Sequence, residues 1–365
     1  MDFQLSDDQR ALRSGMRDLL GAVFDRDRLR AAVERDGALD RSLWRELGAA
    51  GFFALRLPEE AGGVGLGLPE AVLLFEEAGR ALLPGPLVAT HLAAGLVKGA
   101  AEGEAVVTAV AADQPVAHLA EADAVLMVGG EAAGLPGEEA FGETLSGEAL
   151  RAFVAAARPV RSMDPLTPLH RASADAKPAP AASERTRADA ERVPAATERA
   201  PAHAGRLRFE AVLLTAAEQL GSAARTTEAA VQHAGDREQF GSPIGSFQAV
   251  KHLCADMLAR TEPARAAVYA AAVTGDPAEI AAAKLLADEA AVRNARDCLQ
   301  IHGGMGFTWE ADVHLHLKRA WLRAASWLTG AGAEELLAAG LGTAGRFPRS
   351  SAAYGRPVPE AGGGG

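Results

Sequence analysis

The stretch Gln300–Ala320, QIHGGMGFTWEADVHLHLKRA, gathers three histidines, two acids and a cluster of glycines into one short segment. Those residue types fit three chemistries: a metal site, a phosphate-binding loop, or the wall of a cofactor pocket that lies partly in another subunit. A metal site would draw on His302, Glu310, His314 and His316. Glu310 and His314 stand four apart and could share one helix face, but His316 then points away from His314. No cysteine joins them, so no metal is assigned. Gly303 and Gly304 lack a Cβ and let a ligand approach the backbone, as a phosphate loop requires. A second glycine-rich stretch, GFFALRLPEEAGGVGLGLPE, has no clear strand–turn–helix unit around it and reads as a plain loop.

Such side chains need elements to hold them. The 365 residues are 48% hydrophobic and 23% charged, with a formal charge of −11. An acidic chain without clustered Lys and Arg does not carry a nucleic-acid footprint. The two cysteines, Cys254 and Cys298, form no framework pattern, and a reducing cytoplasm is expected. The start MDFQLSDDQRALRSG has no apolar core of a signal peptide, and no apolar run reaches the roughly 20 residues of a membrane span.

The first hundred residues read as helices. Ser6 and Gln9 form a capping box ahead of Leu12, Met16, Leu19, Leu20 and Val23, which share one helical face. A second helix starts near Asp40, and others cover 69–85 and 87–100. After Gly103 the pattern changes: EAVVTAV, ADAVLMVGG and ARPVRSMDPLTPLH read as strands or extended pieces. Residues 172–205 are Ala, Pro and charge with almost no large apolar side chain, the composition of a disordered insertion. Helices resume at 207–233, 245–272 and 277–302. The last has Asp276 as cap, Pro277 at the first position, Glu279 completing a box, and Gly303 as its stop. Helices at 310–327 and 333–341 and a disordered tail over 346–365 complete the chain. The expected fold is mainly α: an N-terminal helical domain (1–103), a small reduced β domain (104–205, including the insertion) and a C-terminal four-helix bundle (206–345).

That order, with three stretches in it, resembles the acyl-CoA dehydrogenase family. LWRELGAAGFFALRLPEEAGGVGLGLPEAVLLFEEAGRAL is similar to the family's N-terminal domain, with Pro58-Glu59-Glu60 and Gly62-Gly63 in its loop. DREQFGSPIGSFQAVKHLCADM is similar to its Arg-x-x-Phe-Gly…Phe-Gln element, and QIHGGMGFTWE to its Gln-x-x-Gly-Gly element. The resemblance implies FAD, an acyl-CoA thioester substrate, α,β-desaturation, and electron-transfer flavoprotein as electron acceptor. By the same resemblance Arg237, Phe247, Gln248, Gln300, Gly303 and Gly304 contact the flavin of a neighbouring subunit. Their chemistry agrees. Arg237 offers a guanidinium fork to a pyrophosphate, the two glutamines can hydrogen-bond its oxygens, and Phe240 and Phe247 give the adenine an apolar surface.

Two departures stand beside the matches. The family's Thr-Glu-Pro…Gly-Ser-Asp loop and Trp-x-x-Asn-Gly strand, which hold the flavin ring, do not occur between Gly103 and Gly205. The catalytic glutamate is also missing. Its usual place falls in AWLRAASWLTGAG near Ser326, and its alternative place falls on Ala211. Glu210 is adjacent, but one residue along a helix turns a side chain by about 100°. Glu218 lies two turns further, and both acids read as surface or interface groups, with Glu210 the one weak candidate for a displaced base. Both departures fit the short, degenerate subunit of bacterial heteromeric acyl-CoA dehydrogenases of fatty-acid or steroid degradation. That subunit completes the FAD site of a full-length homologous partner in a heterotetramer. The alternatives are a self-sufficient homotetramer with a displaced base and a purely structural subunit without flavin.

Overall fold

The computed structural model describes residues 4–111, 114–128, 144–172 and 200–344. The N-terminal helices are α1 (Asp7–Val23), α2 (Arg26–Glu34), α3 (Arg41–Ala49), α4 (Leu68–Arg80) and α5 (Leu87–Leu92). Ser6 and Gln9 close the capping box on α1, and Asp40 caps α3 through the N–H groups of Ser42 and Leu43. Helix α4 is buried on every side from Ala71 to Gly79. That makes it a central helix rather than an amphipathic surface one. Its two buried acids are satisfied: Glu77 takes a two-pronged bond from Arg17, and Glu76 takes bonds from Arg265 and Tyr269.

The middle region holds short strands and one helix: β1 (Val107–Val110), β2 (Val116–Ala117), β3 (Ala124–Met127), β4 (Thr144–Ser146), α6 (Gly147–Ala156), β5 (Arg158–Val160) and β6 (Leu169–Arg171). One sheet runs β1-β3-β4, with β1 and β3 parallel in the register Val107 opposite Ala124. The other runs β2-β6-β5 and is antiparallel. The apolar runs at 104–110 and 122–130 thus supply the paired strands β1 and β3.

The C-terminal part begins with α7 (Ala200–Asp236), 37 residues and roughly 55 Å long. A hairpin of β7 (Glu238–Gln239) and β8 (Ser242–Pro243) leads to α8 (Gln248–Thr274), α9 (Pro277–His302), α10 (Val313–Ala324) and α11 (Gly330–Ala344). Helix α7 already starts at Ala200, so residues 200–205 are helical and not part of a disordered insertion. Residues 173–199 and the tail 346–365 lie outside the described residues. Asp276 caps α9 as its sequence suggests, but Glu279 does not close a box, because its carboxylate instead accepts the Thr274 hydroxyl at 2.7 Å. Inside the bundle, the Asn294 amide reaches Thr227 of α7 at 3.1 Å and Met257 O of α8 at 3.0 Å. One buried side chain on α9 so ties three helices.

The N-terminal helices dock on the bundle where α4 crosses α7. A Cβ on Gly221 would lie 1.8 Å from Glu76 O, and one on Gly79 would lie 2.0 Å from Glu218 O. The two backbones touch there, which only glycine permits.

Candidate functional site

The three parts of the chain meet at a cavity of about 160 Å³. Its walls include the turn before α5, Thr108 of β1, His118, Glu218 of α7, and the segment from Leu322 to Trp327 that ends α10. Ser326, which the resemblance puts near the place of the family's base, lies on this wall, and its hydroxyl donates to Leu322 O at 2.9 Å. Among the described residues lining the cavity, Glu218 is the one carboxylate.

Two buried ion pairs cross this junction. Arg319 bonds Asp164 through Nε and donates to Leu83 O at 3.2 Å, so α10 is tied to the loop before β6 and to the N-terminal helices. Asp164 also accepts the Thr167 hydroxyl at 2.6 Å and the Leu166 N–H at 3.1 Å. Burial alone would raise the Asp164 carboxyl, but Arg319 and these bonds outweigh it and hold it below its ordinary value. Arg323 donates to Glu218 at 2.6 Å. Burial pushes the Glu218 carboxyl up, with Arg323 and Arg319 opposing, and burial draws the Arg323 guanidinium down to about 10. With both side chains buried, the pair is a salt bridge closed off from solvent. A carboxylate in such a bridge is not free to take a substrate proton. Glu218 is therefore neither a surface nor a subunit-interface acid, as its sequence suggests, but a buried strut on the cavity wall.

Glu210 is also buried rather than superficial, at 6% exposure, and it is not on the cavity wall. Arg56 grips it at 2.8 and 3.2 Å, and Arg206 at 2.8 Å. Burial raises its carboxyl, but the two arginines outweigh burial and hold it below the ordinary value. A general base needs a basicity near the working pH and reach to its proton. Held below its ordinary value, Glu210 is poorly tuned as a base, and it lines a different pocket, beside Arg206, Phe209 and Ile280. Ala211, the alternative place of the base, is fully buried.

The cavity also carries backbone strain. His118 and Trp327 both line it, and both have positive φ, 54° and 65°. Non-glycine residues in that region persist only where surrounding structure enforces them. Trp327 is fixed by its N–H to Gln114 Oε1 at 2.9 Å. Sequence reading missed Arg319 and Arg323. Their spacing of four on an amphipathic helix looks like a solvated face, and only the packing of α10 under the other two parts buries them to 4% and 6% exposure.

The other predicted residues form a separate, outward face. Arg237, Phe240 and Phe247 lie in the connection from α7 to α8 and Gln248 starts α8, whereas Gln300 lies in the last turn of α9 and Gly303 and Gly304 directly follow it. A ring stack joins these two arms: His233 of α7 and His302 of α9 lie 4.1 Å apart at 17°. An apolar cluster of Ala234, Met257, Cys298 and Ile301 supports both arms from below. Arg237, Gln248 and Gln300 are exposed. Phe240 is 94% exposed and meets Phe247 edge-to-face at 6.2 Å. Gly303 has φ 62° and ψ −141°, a conformation reserved for glycine, and a Cβ there or on Gly304 would enter open space. Phe247 caps α8 without a side-chain bond, leaving backbone N–H groups at its start for an anion. The arrangement suits a pyrophosphate with an adenine beside it. The inner cavity, at about 160 Å³, is smaller than the roughly 300–1,000 Å³ usual for ligand pockets, and the Arg323–Glu218 pair forms part of its wall.

The histidine-rich stretch resolves into separate roles. Glu310 precedes α10, which starts at Val313 and ends at Ala324, so Glu310 and His314 do not share a helix face. His314 stacks on Trp309 at 5.0 Å, while His316 is buried against the Ser222 hydroxyl at 2.8 Å. Among the described residues no group of His, Cys, Asp and Glu is arranged to hold a metal ion. No described helix is long and apolar enough to cross a membrane.

The chain belongs to the acyl-CoA dehydrogenase family. The family's N-terminal domain profile matches residues 6–103, and its C-terminal domain profile matches residues 205–344. Among named relatives, acyl-CoA dehydrogenase IpdE2 of Mycobacterium tuberculosis is 36% identical over 304 residues, covering 80% of this chain and 84% of IpdE2. The fold is similar to that of PigA, solved with FAD and proline, at a TM-score of 0.74 and 19% identity, over 94% of this chain and 99% of PigA. It is also similar to a chain of the ChsE4-ChsE5 complex of M. tuberculosis, at a TM-score of 0.72 and 22% identity, over 94% of this chain and 99% of that one.

Proposed function

We propose that this chain is the partner-completing subunit of a heteromeric, FAD-dependent acyl-CoA dehydrogenase. Its division into residues 1–103, 104–205, 206–345 and a tail over 346–365 is part of that reading. The observation that carries it is the contrast between the two sites. The inner cavity has Ser326 where the family's base falls, and its one carboxylate is held by Arg323. The outer face keeps an exposed arginine, two glutamines and an open glycine pair. A chain so built has lost its own reaction centre and retained what it offers a neighbour. That a related fold occurs in the ChsE4-ChsE5 complex supports a pairing of homologous chains.

In this reading the bound flavin supplies the hydride acceptor for α,β-desaturation of an acyl-CoA thioester of fatty-acid or steroid degradation. Arg237 holds the pyrophosphate in a charge-assisted fork. Gln248 and Gln300 orient it by hydrogen bonds, Gly303 and Gly304 let it approach the backbone, and Phe247 covers the adenine. The full-length homologous subunit supplies the base. Electron-transfer flavoprotein takes the electrons, and the complex works in the cytoplasm. A self-sufficient homotetramer using Glu210 is disfavoured by the grip of Arg56 and Arg206 on that carboxylate. A subunit that never meets flavin is disfavoured by the open glycine pair.

Co-expression tests the proposal. The chain purified alone is expected to be colourless and inactive, and to gain flavin and acyl-CoA dehydrogenase activity with a full-length homologous chain. A yellow homomer whose flavin is bleached by an acyl-CoA would overturn it.

A further inference from the structure

The glycine pair has no close neighbours of its own: nothing lies within 4 Å of where a Cβ on Gly303 or Gly304 would stand. Its place is therefore set by what holds the chain on either side. Before it stands α9, fixed in the bundle. The short helical turn Gly303–Phe307 carries the pair, and a loop then leads to α10. The turn is seated on α9 at Gly306, where a Cβ would lie 2.9 Å from Leu299 O. The Thr308 N–H and hydroxyl both donate to Met305 O, at 3.1 and 2.8 Å, and the Ala311 N–H donates to Thr308 O at 3.3 Å.

The far end of this bonded run is gripped from the other end of the chain. Arg26 and Arg30 stand four apart on α2, on one helix face. Arg30 donates to Trp309 O at 2.5 Å, to Glu310 O at 2.8 Å and to the Asp312 carboxylate. Arg26 donates to Glu310 O at 2.7 Å and to Asp312 at 2.6 Å. Three of the five bonds end on backbone carbonyls, so they fix the path of the main chain itself. A guanidinium presents its donors as a rigid fork, which suits it to hold two carbonyls at a set spacing. The Arg30 side chain is 18% exposed and meets little competition from water, whereas Arg26 is 62% exposed and its bonds weigh less. Both arginines lie outside the three stretches that carry the family resemblance.

From this geometry, and resting on the outer face being a pyrophosphate site, we infer that Arg30, assisted by Arg26, is a positioning residue for flavin binding. It acts through the loop and not by touching the cofactor. By holding Trp309–Asp312 it keeps the glycine pair open and in place before the flavin binds, and a site ordered beforehand loses less freedom on binding. The N-terminal helices thereby take part in a site whose own residues all belong to the C-terminal part.

The test uses the complex assembled with a full-length homologous chain, stripped of flavin and titrated with FAD. Arg30→Ala should raise Kd several-fold, up to about tenfold. It should also speed amide exchange over 304–311 and leave α8 and α9 as protected as in the wild type. Arg30→Lys keeps the charge without the fork and should recover only part of the loss. Arg26→Ala removes a more exposed side chain without threatening the fold, and should change Kd and the same amides in the same direction by less. A double-mutant cycle shows whether the effect passes through the glycine pair. Gly304→Val places a side chain where the cofactor approaches, so Arg30→Ala should cost little more on that background. On an Arg237→Ala background it should cost its full factor. Unchanged Kd in both arginine variants, full recovery by Arg30→Lys, or full additivity with Gly304→Val overturns the inference. Unchanged Kd in Arg237→Ala would instead sink the pyrophosphate site on which it rests.

Discussion

Gly221→Ala isolates the contact on which the docking of the helical parts depends. The added Cβ would lie 1.8 Å from Glu76 O and 2.8 Å from the Arg80 nitrogen, both backbone atoms of α4. Real Cβ contacts do not fall below 3.0 Å, so the helices must part by about 1.2 Å or bend. Neither can bend locally, because α4 is buried all round and Gly79 makes the reciprocal contact at 2.0 Å. A gap of 0.5–1 Å already forfeits about a quarter to a half of each dispersion well of about 0.1–0.2 kcal/mol. Over the tens of atom pairs along this crossing that amounts to several kcal/mol. Against it stands a helix-propensity gain of about 1 kcal/mol for Ala over Gly. The net expectation is destabilisation by about 2–4 kcal/mol, in the upper range for overpacking. Gly15→Ala is the control: nothing lies within 4 Å of its Cβ, and it should gain up to about 1 kcal/mol. Denaturant unfolding of the two variants beside the wild type reads the difference directly. A Gly221→Ala chain as stable as wild type would refute the backbone contact, and with it the way the N-terminal helices seat on α7.

Two further predictions concern buried titratable groups. Burial first, then Arg225, Arg323 and Arg319, pushes the His316 imidazole down to about 3, and His91 is pushed to about 4. The unfolded rings titrate near 6.5, so their contribution is intact above that pH and is lost as pH falls toward the folded values. Stability should drop by about 1.4 kcal/mol per pH unit for each ring across that window. His316→Asn should reduce the slope by about that one-ring amount, and an unaltered slope in acid-unfolding titrations would count against its burial. Glu210→Gln should cost about 1–3 kcal/mol by leaving Arg56 without its carboxylate, yet leave activity per bound flavin unchanged in the assembled complex. A loss of the 10²–10⁴-fold typical of a removed base would reinstate it as catalytic.

Much of the fold could be read from local signals, because those signals are local physics. The Ser6–Gln9 box, the Asp40 and Asp276 caps and the stop at Gly303 satisfy backbone groups within one turn, and the structure places helix ends there. The apolar Val-rich runs became β1 and β3 for the same reason. The order of parts and the family followed from motifs that need no partner to be recognised. What the sequence could not settle was which polar side chains are buried, since burial depends on elements far apart in the chain. Asp164 meets Arg319 across 155 positions and Glu218 meets Arg323 across 105. In the sequence all four look like ordinary surface charges. The same holds for His233 and His302, whose stacking requires α7 and α9 to end side by side. The missing glutamate near Ser326 was a fact of the sequence alone. That the one acid on the cavity wall is tied to an arginine, and that the glycine pair opens outward instead, was decided only when the helices packed.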